Sequence, residues 1–494
     1  MIRPADAAVL IIALAALGIW GFFKARSTRD LAGFLVAGRT VPWPVVAFSV
    51  MATQASAVTF MATPGQGYVG GLSFVQFYFG LPIAMVVLCA TLVPVFQRLR
   101  VHTAYEFLEQ RFDGKTRTLA LTFVLVLRAL PQGMGLPDAL VVAGASGRLA
   151  AVDTSFDPAS RYNLWAGLLG GFFLQLSYFG TDQSQVGRFL TARSARESRL
   201  GLLFNGLVKV PMQFFILLLG VLVFVAYRFE PAPVFFNPAE AAKAAAGPHA
   251  DDWHAAERAW DHSRAELAKA LREEHAARKG GDAAAERDAH ARGLAADVAA
   301  NAARVRAVIA ISSTDPNANT NDTNYIFLRY VLSHLPVGMV GLVLAAIFAA
   351  AMNSSMSELN ALASTTVVDV VERLKWASDE RELLAWSRFA TLFWVVFAVG
   401  FAQFAARLGS LVEAVNIMGS LFYGTMLGIF LTALFVKRAG GTAVFTAAIL
   451  GEAAVIVCWK LTPLSFLWWN LIGCVLTLAI AALLAPVLPA RKAA

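Results

Sequence analysis

Apolar runs of membrane-spanning length, separated by short basic loops, constrain the fold of this chain more than any other feature of its sequence. The runs lie near residues 5–23, 44–63, 72–96, 117–131, 162–180, 202–227, 335–370, 389–406, 411–436, 441–458 and 466–487. A helix needs about 20 mainly apolar residues to cross the hydrocarbon core of a bilayer. Because the chain is 58% apolar and only 15% charged, we predict an all-α polytopic membrane protein with about 11 transmembrane spans.

The basic residues of the short loops predict the topology. Arg and Lys in short loops stay on the cytoplasmic side of a membrane, which here places the N-terminus outside and the C-terminus in the cytoplasm of a multi-pass cell membrane protein. One inner loop is marked by Arg188, Arg193, Arg196 and Arg199. Since topology explains the net charge of +8, the expected surroundings are the lipid bilayer, and no nucleic acid partner is predicted.

No sequence motif indicates an enzyme. The chain contains no His-Glu-x-x-His zinc motif, no nucleophile elbow and no phosphate-binding loop. We therefore predict a protein without enzymatic activity and without a cofactor.

The run from Val340 to Glu358 carries three adjacent polar residues, Asn353, Ser354 and Ser355, past its middle. An unsatisfied polar group inside a membrane costs several kcal/mol, so these side chains need partners. They can bind a cation or hydrogen-bond groups inside a bundle. They can equally bond back to the preceding helical turn or form a small-residue packing face.

A second stretch, Phe48 to Gly67, is rich in small and hydroxyl residues and begins after Pro42 and Pro44. Pro64, Gly65 and Gly67 at its end should make its helix easily broken. Broken helices free backbone carbonyls, and such oxygens suit a monovalent cation such as sodium when hydroxyls from a second helix join them.

Four segments together form a recognisable pattern. They read ATQASAVTF from Ala52, YFGTDQSQVGRFL from Tyr178, AAAMNSSMSELNALAS from Ala349 and NIMGSLFYG from Asn416. The combination resembles the sodium/solute symporter family, which includes the sodium/glucose and sodium/proline cotransporters. The resemblance implies a LeuT-like inverted-repeat fold of two five-helix halves. It also implies secondary active symport of sodium, the coupling ion, with a small polar organic solute by alternating access.

The resemblance also implies a set of binding residues. For sodium it gives backbone carbonyls and hydroxyls at Ala52, Ala55, Ala351, Ser354 and Ser355. For the solute it gives Gln175, Tyr178 and Lys209. The further candidates are Gln54, Ser56, Thr59 and Gln76, which are polar residues of the helices flanking the expected break, and Asn416. From residue type alone, Ala52 and Ala55 would be ordinary packing residues. Lys209 would either have a partner in the membrane or reach the inner surface by snorkelling.

One part of the chain departs from the family pattern. Family members carry three helices between the run ending near Phe96 and the run that begins at Tyr162, whereas this sequence offers one run, Thr118 to Leu130. That run of about 13 residues covers roughly 20 Å, short of the hydrocarbon core. We therefore expect two helices of the first repeat to be missing and transport to be poor. The alternatives to an active symporter are a transporter-like membrane sensor and an inactive truncated family member.

The segment Arg228 to Thr323 has a charged, Ala-rich composition unlike the rest of the chain. It predicts an outer hairpin of two helices, Asp251–Arg278 and Asp282–Ile311, that acts as a solvated cap with an unknown partner. Heptad-like spacing predicts its packing faces. The residues at that spacing are Trp253, Trp260, Leu267 and Leu271 on the first helix and Leu294, Val298, Ala302 and Val305 on the second. The spacing of His249 and His254 does not favour a metal site.

Overall fold

The structure, a computed structural model, describes residues 3–25, 41–54, 57–91, 135–377, 379–405 and 411–488. These ranges are almost entirely helical, with no β-strand and one isolated bridge between Val41 and Ala192. The first helices are α1 (Pro4–Ala25), α2 (Trp43–Gln54), α3 (Ala57–Gly70), α4 (Leu81–Ala90), α5 (Leu136–Ala145), α6 (Gly171–Thr181), α7 (Gln183–Leu190) and α8 (Ala195–Phe229). A 3-10 segment (Gly71–Tyr78) joins α3 to α4.

The second part of the chain adds a hairpin and the remaining apolar helices. After α8 come α9 (Pro238–Ala245), α10 (Ala250–Gly280), α11 (Ala283–Thr314), α12 (Thr323–His334), α13 (Met339–Thr365), α14 (Glu380–Ala405), α15 (Leu411–Phe435), α16 (Gly441–Leu461) and α17 (Phe466–Leu484). The segment Thr366–Glu372 extends α13 as a π-helix. Helix α10 packs along α11, and α15 packs along α17.

Seven helical stretches within the described ranges are long and apolar enough to cross a membrane. They are Thr59–Ala90, Ala195–Phe229, Met339–Glu372, Arg381–Ala402, Val415–Phe435, Gly441–Leu461 and Phe466–Leu484. The shorter apolar helices are Pro4–Trp20, Trp43–Ala52 and Leu136–Ala145. The number of spans and the side of each loop stay predictions, and the predicted run at 117–131 lies outside the described residues.

The glycines after Pro64 serve close packing rather than helix termination. Helix α3 continues through Pro64 to Gly70. A Cβ atom on Gly67 would lie 2.3 Å from the carbonyl oxygen of Leu217, and one on Gly220 would lie 2.0 Å from that of Pro64. Because atoms cannot approach so closely, only glycine lets α3 and α8 pack at this distance. The helix predicted to be easily broken across Phe48–Gly67 is thus continuous at Pro64, whereas α2 ends at Gln54 and α3 begins at Ala57, with residues 55–56 outside the described ranges.

The hairpin of α10 and α11 is docked onto the helix bundle. Trp260 is buried and donates from its indole nitrogen to the carbonyl of Ala232 at 2.6 Å. Arg304 pairs with Asp322 at 2.6 Å and also donates to the carbonyl of Val234. The hairpin therefore belongs to the same hydrophobic core as the adjoining end of α8, which a purely solvated cap would not.

The packing face of α11 differs from the predicted one. Leu294, Val298 and Val305 are exposed, with Val298 70% accessible. The buried residues of α11 are small, namely Ala289, Gly293, Ala300, Ala303, Ala307 and Ala310, with Ile311 at the end. Small side chains let two helices approach closely. The face made of these small residues is therefore buried in the hairpin, and the larger apolar residues are exposed.

His334 at the end of α12 pairs with Glu230, the residue after α8. Its Nε2 lies 2.6 Å from a carboxylate oxygen of Glu230, and its ring stacks on Tyr330 with 4.1 Å between ring centroids. Both partners lie outside the candidate membrane spans. The hydrogen bond to Glu230 raises the pKa of His334 above its ordinary value.

This pair predicts a pH dependence of stability. A group whose pKa is raised by folding stabilises fully below its unfolded pKa, about 6.5 for His, and loses that contribution as the pH rises through the folded pKa. The melting temperature should therefore fall between about pH 6 and about pH 9 by more in the wild type than in His334→Gln. Scanning fluorimetry measures this, with the exposed His262→Gln as control. Equal slopes in the wild type and His334→Gln would contradict the prediction.

Candidate functional site

Helices α2 and α13 contact each other and carry the predicted sodium ligands. Ala52 lies near the end of α2 and is buried. The described part of α2 ends at Gln54, whose carbonyl accepts a 2.8 Å hydrogen bond from the hydroxyl of Thr59 in α3. Ala55 and Ser56 lie outside the described residues, so one of the two predicted carbonyls of the first helix is located.

The serines of α13 lie one helical turn past Ala350. Ser354 is half-buried and donates to the carbonyl of Ala350 at 3.2 Å, whereas Ser355 is exposed. The back-bond expected of an intramembrane serine is thus present. A hydroxyl that donates its proton keeps its oxygen lone pairs, so the same oxygen can still bind a cation. Ala351, on the same turn, is half-buried.

Arg188 of α7 joins the two helices of this site. Its guanidinium is 3% exposed and donates to the carbonyl of Ser49 at 3.3 Å and to the Ser49 hydroxyl at 2.5 Å. It also donates to the hydroxyl of Ser357. Ser49 precedes Ala52 by about one turn, and Ser357 follows Ser354 by about one turn. Arg188 is therefore a buried residue of α7 rather than an exposed loop residue, and the side of the membrane on which it lies stays a prediction.

Asp182 separates α6 from α7 and holds a polar network beside Tyr178. Its carboxylate accepts from the backbone of Ser184 and from the hydroxyl of Tyr423, both at 2.9 Å. Gln185 donates to the hydroxyl of Tyr178 at 2.8 Å. These contacts connect α6 and α7 with α15, which carries Tyr423.

Lys209 is buried within α8 rather than directed to the membrane surface. It is 1% exposed, and its ammonium lies 5.3 Å from the ring centroid of Tyr78. Of the two alternatives left open by the sequence, snorkelling is thus excluded. Asn205 and Gln213 lie one turn to either side, both fully buried, and within the described ranges their amide groups have no hydrogen-bond partner. Helix α8 therefore carries a row of three buried polar side chains. Of these, sequence reasoning named only Lys209.

The remaining solute candidates differ in whether their polar groups already make hydrogen bonds within the protein. Gln175 is buried, and its Oε1 has no partner among the residues described. Gln76 is also buried, but its amide donates to the carbonyls of Ser73 and Tyr162 and accepts from the backbone of Asp153. That amide holds the 3-10 segment to the following loop. Asn416 and Gln54 are half-buried.

Comparison with known proteins decides the family. The model of the "Sodium:solute symporter family" matches residues 34–135 and 294–451, which together make up more than half of the chain. The chain belongs to the sodium:solute symporter family. This family match covers the helices that carry Ala52, Ser354 and Ser355.

Relatives and a solved structure agree with this membership. A sodium/sialic acid symporter of Aliivibrio fischeri is 23% identical over 96% of this chain and 91% of its own length. The sodium-coupled monocarboxylate transporter 2 of Bos taurus is 26% identical over 40% of this chain and 43% of its own. The structure of a substrate-bound, outward-open, Na⁺-coupled sialic acid symporter has a TM-score of 0.70 at 18% identity. It covers 100% of this chain and 99% of that one.

These findings confirm several predictions from the sequence. The symporter's fold is all-α and LeuT-like, its function is sodium-coupled symport of a small polar solute, and sodium is the coupling ion. It is a multi-pass membrane protein of a transporter family. The binding residues, the orientation of the termini and the two missing helices stay predictions.

Proposed function

We propose that the solute carried with sodium is a small organic anion bearing a carboxylate, bound beside Lys209. The observation that carries this proposal is the burial of the Lys209 ammonium, for which the described residues supply an aromatic face and no carboxylate. A buried cation without a counter-ion is costly, so a solute carboxylate would stabilise it. Sialic acid and monocarboxylates, named for the relatives above, both carry a carboxylate.

Polar groups near Lys209 support the same assignment. The amides of Asn205 and Gln213, one helical turn to either side of Lys209 on the same face of α8, have no partner among the described residues. Gln175 of α6 is a further candidate, since its Oε1 also has no partner among these residues. These groups can hydrogen-bond hydroxyl or amide groups of the solute, which fixes its orientation. Gln76 acts instead as a positioning residue, because its amide is already engaged by the backbone.

Sodium would bind between α2 and α13. The proposed ligands are the carbonyls of Ala52, Ala55 and Ala351 and the hydroxyls of Ser354 and Ser355. Neutral oxygens suit a monovalent ion, and the small side chains leave space for it. With one sodium ion per carboxylate no net charge crosses the membrane, so the concentration gradient of sodium drives the solute inward, and each additional sodium ion moving through 100 mV would add about 2.3 kcal/mol.

The proposal predicts that Lys209→Met abolishes uptake but not sodium binding. Leaving a solute carboxylate buried without its cation costs about 3–5 kcal/mol, or more than about 100-fold in affinity. Reconstituted protein should take up labelled N-acetylneuraminate or lactate in a sodium-dependent manner, and glucose should be a poor substrate. A thermal-shift titration with sodium should give the wild-type midpoint in Lys209→Met.

The matched control is Lys460→Met, which removes an exposed lysine from α16. It should leave uptake unchanged. Sodium-driven uptake of neutral sugars at the rate of carboxylates, or wild-type uptake by Lys209→Met, would contradict the proposal.

A second candidate is a family member that binds sodium and solute but transports slowly. The alignment with the Aliivibrio fischeri symporter spans 548 positions, more than the 494 residues of this chain, so part of that relative has no counterpart here. This agrees with the two helices predicted to be missing. Sodium-dependent solute binding together with negligible uptake in the same preparation would favour this candidate.

A further inference from the structure

A crevice of about 330 Å³ lies between the docked hairpin and the end of α8 near Arg228. Residues of α5, α8, α10 and α11 line it. Small-molecule sites usually have a volume of this order, with apolar walls and a few converging polar groups. The chemistry of its lining therefore indicates what it can bind.

One group of lining residues, Arg148, Arg228 and Asp297, contains two cations and one carboxylate. The guanidiniums of Arg148 and Arg228 lie 4.8 and 5.1 Å from the ring centroid of Phe224. Arg228 is buried, pairs with Asp297 and contacts the hydroxyl of Ser146 at 3.4 Å. The Nε atoms of Arg148 and Arg228 are buried and have no partner among the described residues. This group of residues thus has one positive charge more than its carboxylate balances.

The protein lowers the pKa of Arg148 through burial, and the charge of Arg228 acts in the same direction. Guanidinium stays protonated in proteins. The consequence is an incompletely compensated positive charge rather than a neutral group. A bound anion would offset the free-energy cost of keeping this positive charge buried.

The charges of a second group of lining residues, Glu274, Arg278 and His290, are nearly balanced. Glu274 pairs with Arg278 at 2.9 Å and lies 3.3 Å from His290. Arg278 has a second carboxylate partner, Glu286, at 2.7 Å. His275 also lines the crevice, and its Nε2 is buried without a partner in the described part of the chain. This imidazole can donate to a ligand oxygen in its Nε2–H tautomer.

Apolar side chains also form walls of the crevice. Val142 of α5 and Leu267 and Leu271 of α10 belong to them. A fully hydrated inorganic ion would gain nothing from such walls. An organic body attached to the anionic group would bury apolar surface there.

We propose that this crevice is a second ligand site that binds a small organic carboxylate with an apolar or aromatic body. The carboxylate would contact Arg148 and Arg228, and the body would lie against the apolar walls. Arg228 and Lys209 are about 28 Å apart along α8, so this site is separate from the proposed solute site. The ligand would contact both the hairpin and the bundle, and it would therefore stabilise the docked hairpin.

Benzoate is a suitable probe because it combines a carboxylate with an aromatic ring, and benzamide is its neutral counterpart of similar shape. Equilibrium dialysis with the purified full chain in sodium-free buffer should show saturable benzoate binding. Benzamide should bind at least about tenfold more weakly, since it lacks the charge that Arg148 and Arg228 recognise.

Three variants locate the binding. Arg148→Gln should weaken benzoate binding at least about tenfold. Arg292→Gln removes a cation that pairs with Glu273 and Asp288 on the hairpin outside the crevice and should leave binding unchanged. Lys209→Met should also leave it unchanged.

The proposal fails if benzoate shows no saturable binding, if benzamide binds equally well, or if Arg148→Gln binds like the wild type. Loss of binding in Lys209→Met with retention in Arg148→Gln would place benzoate in the solute site and would also overturn it. Leu271→Trp narrows the crevice without a charge change and provides a second test if Arg148→Gln does not fold. Wild-type benzoate affinity in Leu271→Trp would exclude the crevice as the site.

Discussion

Sodium stimulation of solute uptake should be lost when Ser354 and Ser355 are both replaced by alanine. The double change removes two of the five oxygens proposed to bind the ion, and these are the two side-chain oxygens of the proposed set. We expect the half-maximal sodium concentration to rise at least about tenfold. Ser355 is exposed and Ser354 half-buried, so folding should be little affected, by about 0.5 kcal/mol.

Ser312→Ala is a matched control for this experiment. Ser312 makes the same type of back-bond, to the carbonyl of Val308 at 2.9 Å, on the hairpin rather than in the bundle. The sodium dependence of uptake should therefore match that of the wild type. Unaltered sodium stimulation in the double alanine variant would refute the assignment, and stimulation by protons alone would favour a proton-coupled carrier.

The sequence predicted the helix that carries these serines because its signal is local. A long apolar run with polar residues past its middle specifies a membrane helix whatever surrounds it. Whether Ser354 faces lipid, a packing partner or an ion depends on neighbouring helices that are distant in sequence. This is why the sequence left the back-bonding and cation alternatives open.

The hairpin shows where periodicity misleads. Hydrophobicity ranks Leu294, Val298 and Val305 above alanine, so the heptad-like pattern placed them in the interface of the hairpin. In the structure Ala300 and Ala303 are buried and the larger residues are exposed. The distance between two helices is a tertiary property, and a small-residue face gains close contact that a single-sequence pattern does not reveal.

The solute candidates show the same limit at single residues. Sequence reasoning named both residues as solute candidates, Lys209 through the family resemblance and Gln76 as a polar group on a helix flanking the predicted break. The fold separates them, since the Gln76 amide bonds the backbone at Asp153 and Tyr162 whereas Lys209 faces the ring of Tyr78. Which polar groups are already satisfied depends on contacts between distant segments.

Arg188→Lys should strongly reduce uptake even though the positive charge is kept. The guanidinium donates through Nη1 to Ser49 of α2 and through Nη2 to Ser357 of α13, and a lysine ammonium, with its donors on a single nitrogen, does not reproduce the spacing of this planar fork. Each hydrogen bond to a charged group contributes about 1.5–3 kcal/mol. Loss of one such contact changes a two-state equilibrium about tenfold or more.

The expected effect is on the conformational equilibrium as well as on stability. Alternating access moves one group of helices against another around the binding site. The sequence predicts that α7 lies on the inner side, where the Arg188 contacts would hold the inner ends of α2 and α13 together. Arg188→Lys should favour an inward-open state. Hydrogen exchange of Trp43–Gln54 and Gln183–Leu190 should become faster as these backbone segments open more often.

Arg196→Lys is the control, because Arg196 is an exposed arginine of the same region. A purely structural role for Arg188 would lower the melting temperature and accelerate exchange throughout the bundle. A role in closing the inner side would instead accelerate exchange mainly in α2 and α7 and reduce uptake in protein that remains folded. Uptake and exchange equal to those of Arg196→Lys would show that the contacts of Arg188 with Ser49 and Ser357 do not hold the two helices in place.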